Sequence, residues 1–178
     1  MLGIEVFFLK TDIIKFKGKE KDKVYLKKIS KTLREGGLVV LPTETVYGLG
    51  GNGLNKRTCK KIYEAKGRPS DNPLILHIAE NSQLDDLVTE IPEVAKKCID
   101  KFWPGPLTII FKRSEIIPDE ATGGLPTVAI REPSNKIAHE ILKSVNFPVA
   151  APSANLSGRP SPTKVEHVIE DLNGRVDI

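Results

Sequence analysis

Cysteine is scarce in this chain. Cys59 and Cys98 are its two cysteines, and neither belongs to a CxxC pair or lies among histidines. That excludes a disulfide framework and a thiolate metal site, and points to two buried free thiols in a reducing cytoplasm. The histidines number three, and His139 and His167 sit beside glutamates on expected helices, as surface residues. No run approaches the roughly 18 apolar residues that span a bilayer. The start, MLGIEVFFLK, has neither a basic lead-in nor a small-residue cleavage site, so it is a poor signal peptide. A phosphate loop of the Walker type is also missing, since Gly50 through Arg57 lacks its second glycine. Repeats and low-complexity stretches are absent. What is left is a chain of 178 residues, 39% hydrophobic and 28% charged, enough for one domain with a sizeable core.

The net charge of +4 is unevenly placed. Between Lys10 and Lys31 stand nine lysines and three acids, a net of +6, while the remainder carries 18 basic and 20 acidic residues. The basic excess therefore belongs to an N-terminal arm and first helix. Two readings stay open there: a solvated charged face, or a patch that contacts RNA.

Helical and strand patterns alternate, which argues for an α/β class. Tyr25, Ile29 and Leu33 share a helical face ended by Gly36-Gly37, and Leu38–Leu41 reads as a buried strand. A short helix follows near Thr58–Ala65, then strand Leu74–Ile78. Asn81 or Ser82 can cap the next helix, and another from Pro92 is expected to bury Val94, Cys98, Ile99 and Phe102. Strands Leu107–Lys112 and Thr127–Arg131 precede a helix over Asn135–Val145 and a strand at Val149–Ala151. Thr163 with Glu166 forms a capping box for a last helix, and RVDI looks like the start of a strand.

Four segments carry polar residues at the ends of these strands. Pro42–Gly53, PTETVYGLGGNG, has four glycines and suggests backbone approaching a ligand. Its Gly48-x-Gly50-x-x-Gly53 spacing matches a dinucleotide fingerprint in form only, because no long helix follows directly. Lys66–Ile78, KGRPSDNPLILHI, sets two cations on a stiff loop, an arrangement suited to polyphosphate or simply to solvent. Within its strand His77 is either a satisfied core histidine or one that faces a ligand. Gly123–Pro133 ends a buried strand on Arg131, which needs an anion, with Thr127 on the same strand face. Val149–Thr163 is a loop of small residues and prolines able to present Ser153 and Asn155 to a nucleotide. Strand carboxyl ends are where α/β sheets usually hold ligands.

Read together, PTETVYGLG, KGRP followed by NPL and HI, WPGPLT, TVAIREP and APSANLSG resemble the YrdC-type threonylcarbamoyl-AMP synthases, in that family's order from about Leu38 to Thr163. The resemblance implies an α/β, YrdC-like twisted mixed sheet with flanking helices around a central cavity, one domain over residues 1–178. It implies that threonylcarbamoyl-AMP and pyrophosphate form from L-threonine, bicarbonate and ATP, for threonylcarbamoyladenosine modification of tRNA. Thr45, His77, Arg131 and the backbone near Ala151 match positions that hold L-threonine, with Arg131 on its carboxylate. Lys66, Arg68, Asn72, Ser153, Asn155 and Ser161 match the ATP side, Lys66 and Arg68 as its catalytic cations, and Thr127 lies between the ligands.

The resemblance also implies Mg²⁺ arriving with ATP rather than on protein ligands, and no membrane. Its implied partners are tRNA or double-stranded RNA and a downstream threonylcarbamoyl-transferase complex. The chemistry asks for no covalent residue. Members of the family usually continue past a strand like RVDI into a glycine-rich turn and a Ser-Thr segment. This sequence stops at Ile178 before that part, so either it is a truncated piece or the pocket is more open than usual. Two rival readings remain: an RNA-binding module of the same fold without adenylation, and a carbamoyl-adenylating domain that shares the KxR and SxN pattern.

Overall fold

The structure is a computed structural model that describes residues 10–17 and 21–178, without the side chain of Lys21. Lys19 and Glu20 of the basic arm lie outside the described residues. Among the described residues, no helix is long and apolar enough to cross a membrane.

Among the described residues, six strands form one mixed sheet: β1 (Val39–Leu41), β2 (Gly48–Asn52), β3 (Ile75–His77), β4 (Ile109–Lys112), β5 (Thr127–Arg131) and β6 (Val149–Ala150). Their order across the sheet is β1-β2-β6-β3-β5-β4, and β3 with β5 is the parallel pair. The flanking helices are α1 (Lys21–Arg34), α2 (Lys56–Lys66), α3 (Leu84–Leu87), α4 (Glu93–Phe102), α5 (Asp119–Thr122), α6 (Lys136–Val145) and α7 (Val165–Leu172).

Alternation along the strands decides what each face carries. Leu74, Leu76 and Ile78 point into the larger core, with Ile62 of α2, Ile99 of α4 and Leu172 of α7. The opposite face is covered only in part. There Val39, Leu41 and Val149 pack under α1 and α6 through Ile29, Leu33, Ile141 and Val145. The β4–β5 end of that face is open, and Ile110 is 69% exposed.

Several expectations needed correction. The glycine-rich run is in part a strand: residues 48–52 form β2, with Gly50 paired with Val39 and Gly51 with Ala150, while Thr43, Thr45, Val46 and Gly48 border a cavity. A Cβ on Gly51 would stand 2.5 Å from Thr58 Cγ2, so glycine there lets α2 close on the sheet. The last helix begins at Val165 with no side-chain cap, and Thr163 is exposed. Tyr47 N donates to Pro162 O and keeps the chain extended past the point where the capping box would start. Glu80, not Asn81 or Ser82, caps the helical turn before α3, through a box with Gln83. In α4 the buried stripe runs through Ala95 and Ile99, which leaves Val94 69% and Phe102 49% exposed and Cys98 half-buried. RVDI forms no strand of its own, yet Asp177 N and Ile178 N donate to Leu38 O, and Val40 N to Ile178 O, along the free edge of β1. Residues 11–12 fasten to the same segment, through Thr11 Oγ1 to Val176 O and Asp12 N to Asp177 O.

Candidate functional site

Parallel pairing of β3 with β5 sets His77 beside Arg131. Strand alternation then turns both towards the half-covered face, next to Ala151 where β6 runs out. Because β6 is antiparallel to β3, the site spreads over the sheet face and does not sit beyond one row of carboxyl ends, as the sequence suggested. A cavity of about 260 Å³ forms there, bounded by Thr43, Thr45, Arg68, His77, Arg131 and Ser153, among others. A larger depression of about 440 Å³ lies elsewhere, lined by apolar residues such as Phe16, Val168 and Val176, and it includes none of the expected site residues.

Arg131 is 8% exposed. Its Nε donates to Gly105 O at 3.2 Å and its Nη1 to Thr45 Oγ1 at 3.2 Å. Nη2 is 2.8 Å from a Glu44 carboxylate oxygen, an ion pair without hydrogen-bond alignment. Partial burial pushes the Glu44 carboxyl up, but Arg131 and the backbone donors outweigh it and hold the group below its ordinary value. Thr43 ties the loop together. Its hydroxyl donates to Val46 O at 2.6 Å, so at 3.0 Å it accepts from the Thr45 hydroxyl. Thr45 thereby presents a fixed oxygen to Arg131.

His77 is 3% exposed, and its Nδ1 lies 3.3 Å from Ile75 O. The Ile75 carbonyl is a partner for a proton on Nδ1, and the Val149 backbone also hydrogen-bonds the ring. Burial, joined by the charge of Arg131, lowers its pKa to about 4, so the ring is neutral near pH 7.

Arg68 reaches the cavity wall from the loop after α2, with Nη2 donating to Pro73 O at 3.2 Å and Nε left buried without a partner. Lys66 belongs to the same segment, but its ammonium turns inward to the carbonyls of Ser153 and Asn155. Ser153 borders the cavity and bridges to Gly48. Asn155 is buried behind it, its amide donating to Leu156 O and Arg159 O.

The structure thus gathers Thr45, His77, Arg131, Ala151, Arg68 and Ser153 around one space. Lys66, Asn155, Asn72, Ser161 and Thr127 do not border it. Asn72 and Ser161 are exposed. Thr127 shares the strand face of Arg131 but lies four residues back, about 13 Å away at strand rise, in a groove with Glu90 and Lys112. Sequence reasoning missed Glu44 and Gly105, both within the quoted motifs. A lone acid flanked on both sides by threonines, Thr43 and Thr45, was the available signal for Glu44.

The Sua5/YciO/YrdC family model, described as telomere recombination, matches residues 31–178. A threonylcarbamoyl-AMP synthase of Pyrococcus abyssi is 54% identical over 145 residues, covering 82% of this chain and 43% of the relative. One from Bacillus subtilis is 57% identical over 145 residues, covering 81% and 42%. The chain thus spans less than half the length of these curated relatives. Among solved structures, P. abyssi Sua5 complexed with L-threonine superposes with a TM-score of 0.86 at 48% identity, covering 94% of this chain and 47% of that one. Escherichia coli YciO gives 0.78 at 25% identity, covering 87% and 76%. With most of its length inside the family model and its fold shared by these structures, the chain belongs to the Sua5/YciO/YrdC family.

Proposed function

We propose that this chain carries the catalytic domain of an L-threonylcarbamoyladenylate synthase, a nucleotidyltransferase that joins L-threonine, bicarbonate and ATP for tRNA modification. The observation that carries the reading is Arg131: a buried guanidinium bordering a small cavity, with a fixed hydroxyl at Thr45 and a second arginine, Arg68, in the wall. Two such cations suit a carboxylate and a phosphate held side by side. The relatives' names and the L-threonine in the P. abyssi Sua5 structure agree with that use.

In this reading Arg131 takes the L-threonine carboxylate, while Thr45, neutral His77 and the backbone near Ala151 frame the side chain. Arg68 and Ser153 meet the phosphates, with Asn72, Asn155 and Ser161 on the ATP side, Thr127 between the two ligands and Lys66 behind the loop. The amine of threonine forms a C–N bond to the bicarbonate carbon, a C–O bond breaks with loss of water, and a carbamate results. Its oxygen attacks the α-phosphorus, and the bond to pyrophosphate breaks. The protein's task is to align two anions and offset their charge, which needs no covalent residue.

The side chains that line the cavity offer cations, hydroxyls and a neutral imidazole but no carboxylate, and the nearby Glu44 is already paired with Arg131. That set does not suit a hard divalent cation, which favours several free oxygens. Mg²⁺ would therefore enter with the ATP phosphates and help to offset their charge. The downstream acceptor is a threonylcarbamoyl-transferase complex.

The test is pyrophosphate release with each substrate omitted in turn, and with carbamoyl phosphate in place of threonine and bicarbonate. Release that ignores threonine would sink the proposal. L-threonine should also raise the melting temperature more than L-valine, whose methyl leaves a hydroxyl partner unpaired at a cost of about 1–3 kcal/mol. Equal shifts would count against this pocket.

A further inference from the structure

Lys66 and Arg68 stand two residues apart in sequence, and the fold sends them to different places. Gly67 caps α2 with φ 59°, its N–H donating to Glu64 O while Arg68 N donates to Tyr63 O. That tight reversal carries Arg68 to the cavity wall and leaves Lys66 only 2% exposed. The Lys66 ammonium donates to Ser153 O at 2.5 Å and to Asn155 O at 2.6 Å. Its own carbonyl accepts from Ser157 N at 2.8 Å.

The loop's other hydrogen bonds make a pattern. Leu49 N donates to Pro152 O, and Ala154 N to Tyr47 O. Residues 152 and 154 therefore bond to the segment entering β2, while residues 153, 155 and 157 bond to Lys66. An extended strand bonds alternately to neighbours on its two sides, and here Lys66 stands on one of them. A buried cation between two carbonyls has no carboxylate bonded to it, and burial, helped by Arg68, lowers its pKa to about 8. A side chain there is tolerated at that cost only if the bonds it makes matter to the loop.

We infer that Lys66 is a positioning residue. Its ammonium substitutes for the strand partner that the carbonyls of residues 153 and 155 lack, while Leu156 N donates to Asp171 Oδ2, and so it sets Ser153 in the cavity wall without touching a ligand. The binding part of the following test rests on the nucleotide reading above, and the exchange part does not.

Lys66→Met keeps the length and removes the donors. In the ligand-free protein, amide exchange at residues 154–157 should accelerate by about tenfold or more, while Arg68→Met leaves those amides as in the wild type. In calorimetric titrations with adenosine, AMP and ATP, Lys66→Met should weaken all three by the same factor. Arg68→Met should lose affinity more steeply with each added phosphate. Unchanged exchange at residues 154–157 in Lys66→Met overturns the inference. So does a loss that spares adenosine and grows with phosphate number, because that marks direct phosphate contact. If the wild type binds none of the three nucleotides, the nucleotide reading falls and exchange alone decides the role of Lys66. Should Lys66→Met fail to fold, Lys66→Gln, shorter and uncharged, replaces it, and the same two results support or overturn the inference.

Discussion

Arg131, 8% exposed, is surrounded by oxygens of Gly105, Thr45 and Glu44. The same charge, added to burial, holds His77 neutral with a pKa of about 4. The sign of the pH effect follows. Between the ordinary histidine value near 6.5 and about 4, the unfolded chain binds a proton that the folded chain refuses. Stability contributed by the neutral ring is full above that window and falls as pH drops through it, by about 3 kcal/mol in all. Urea unfolding of the wild type should show that loss from pH 6.5 to 4, and His77→Gln should lack it. Equal slopes for the two proteins would mean that His77 titrates normally. Both residues were legible in the sequence because each interrupts an apolar strand. The direction of Lys66 was not, since the left-handed turn at Gly67 decides it.

Elements with a strong apolar period were the easiest to read: Thr127–Arg131 matches β5, and Asn135 caps α6 through Ile137 N and Ala138 N. β2 was misread because a strand of GLGGN has almost no side chains to show alternation. Its glycines serve contact between elements. A Cβ at residue 51 would meet Thr58 Cγ2 at 2.5 Å, Leu38 Cδ2 at 3.1 Å and Ile62 Cδ1 at 3.3 Å. Gly51→Ala should therefore cost about 1–3 kcal/mol by overpacking, read as a lower denaturation midpoint. Adding Thr58→Ser removes the nearest methyl and should recover part of the loss, a coupling expected of residues in contact. If Gly51→Ala were neutral, the glycine would owe its place to something other than the approach of α2. Helix rotation was the other blind spot: periodicity gave α4 a stripe, and Ala95 with Ile99 occupies it while Val94 points to solvent.

Across the whole molecule, charge and cavity lie on separate parts. α1 packs against α6 through Ile29 and Leu33, and its Lys23, Lys27 and Lys31 are exposed on the outer side. The cavity is built from the loop before β2, the ends of β3 and β5, and residues 151–153. None of those three lysines borders it. Sequence placed this basic excess correctly along the chain but left its use open between solvent and RNA. If the face binds double-stranded RNA, affinity must fall steeply with salt, because each neutralised phosphate releases counterions. Changing Lys23, Lys27 and Lys31 to Gln should then lower the slope of log affinity against log salt by about 3, at roughly 0.9 for each phosphate that a lysine had neutralised. Threonine binding, read as a thermal shift, should stay as in the wild type, since the substitutions leave Arg131, Thr45 and His77 untouched. An unchanged salt slope would make the lysines a solvated face and nothing more. A lost threonine shift in a folded triple variant would instead tie α1 to the cavity, and the separation of charge from site would fail.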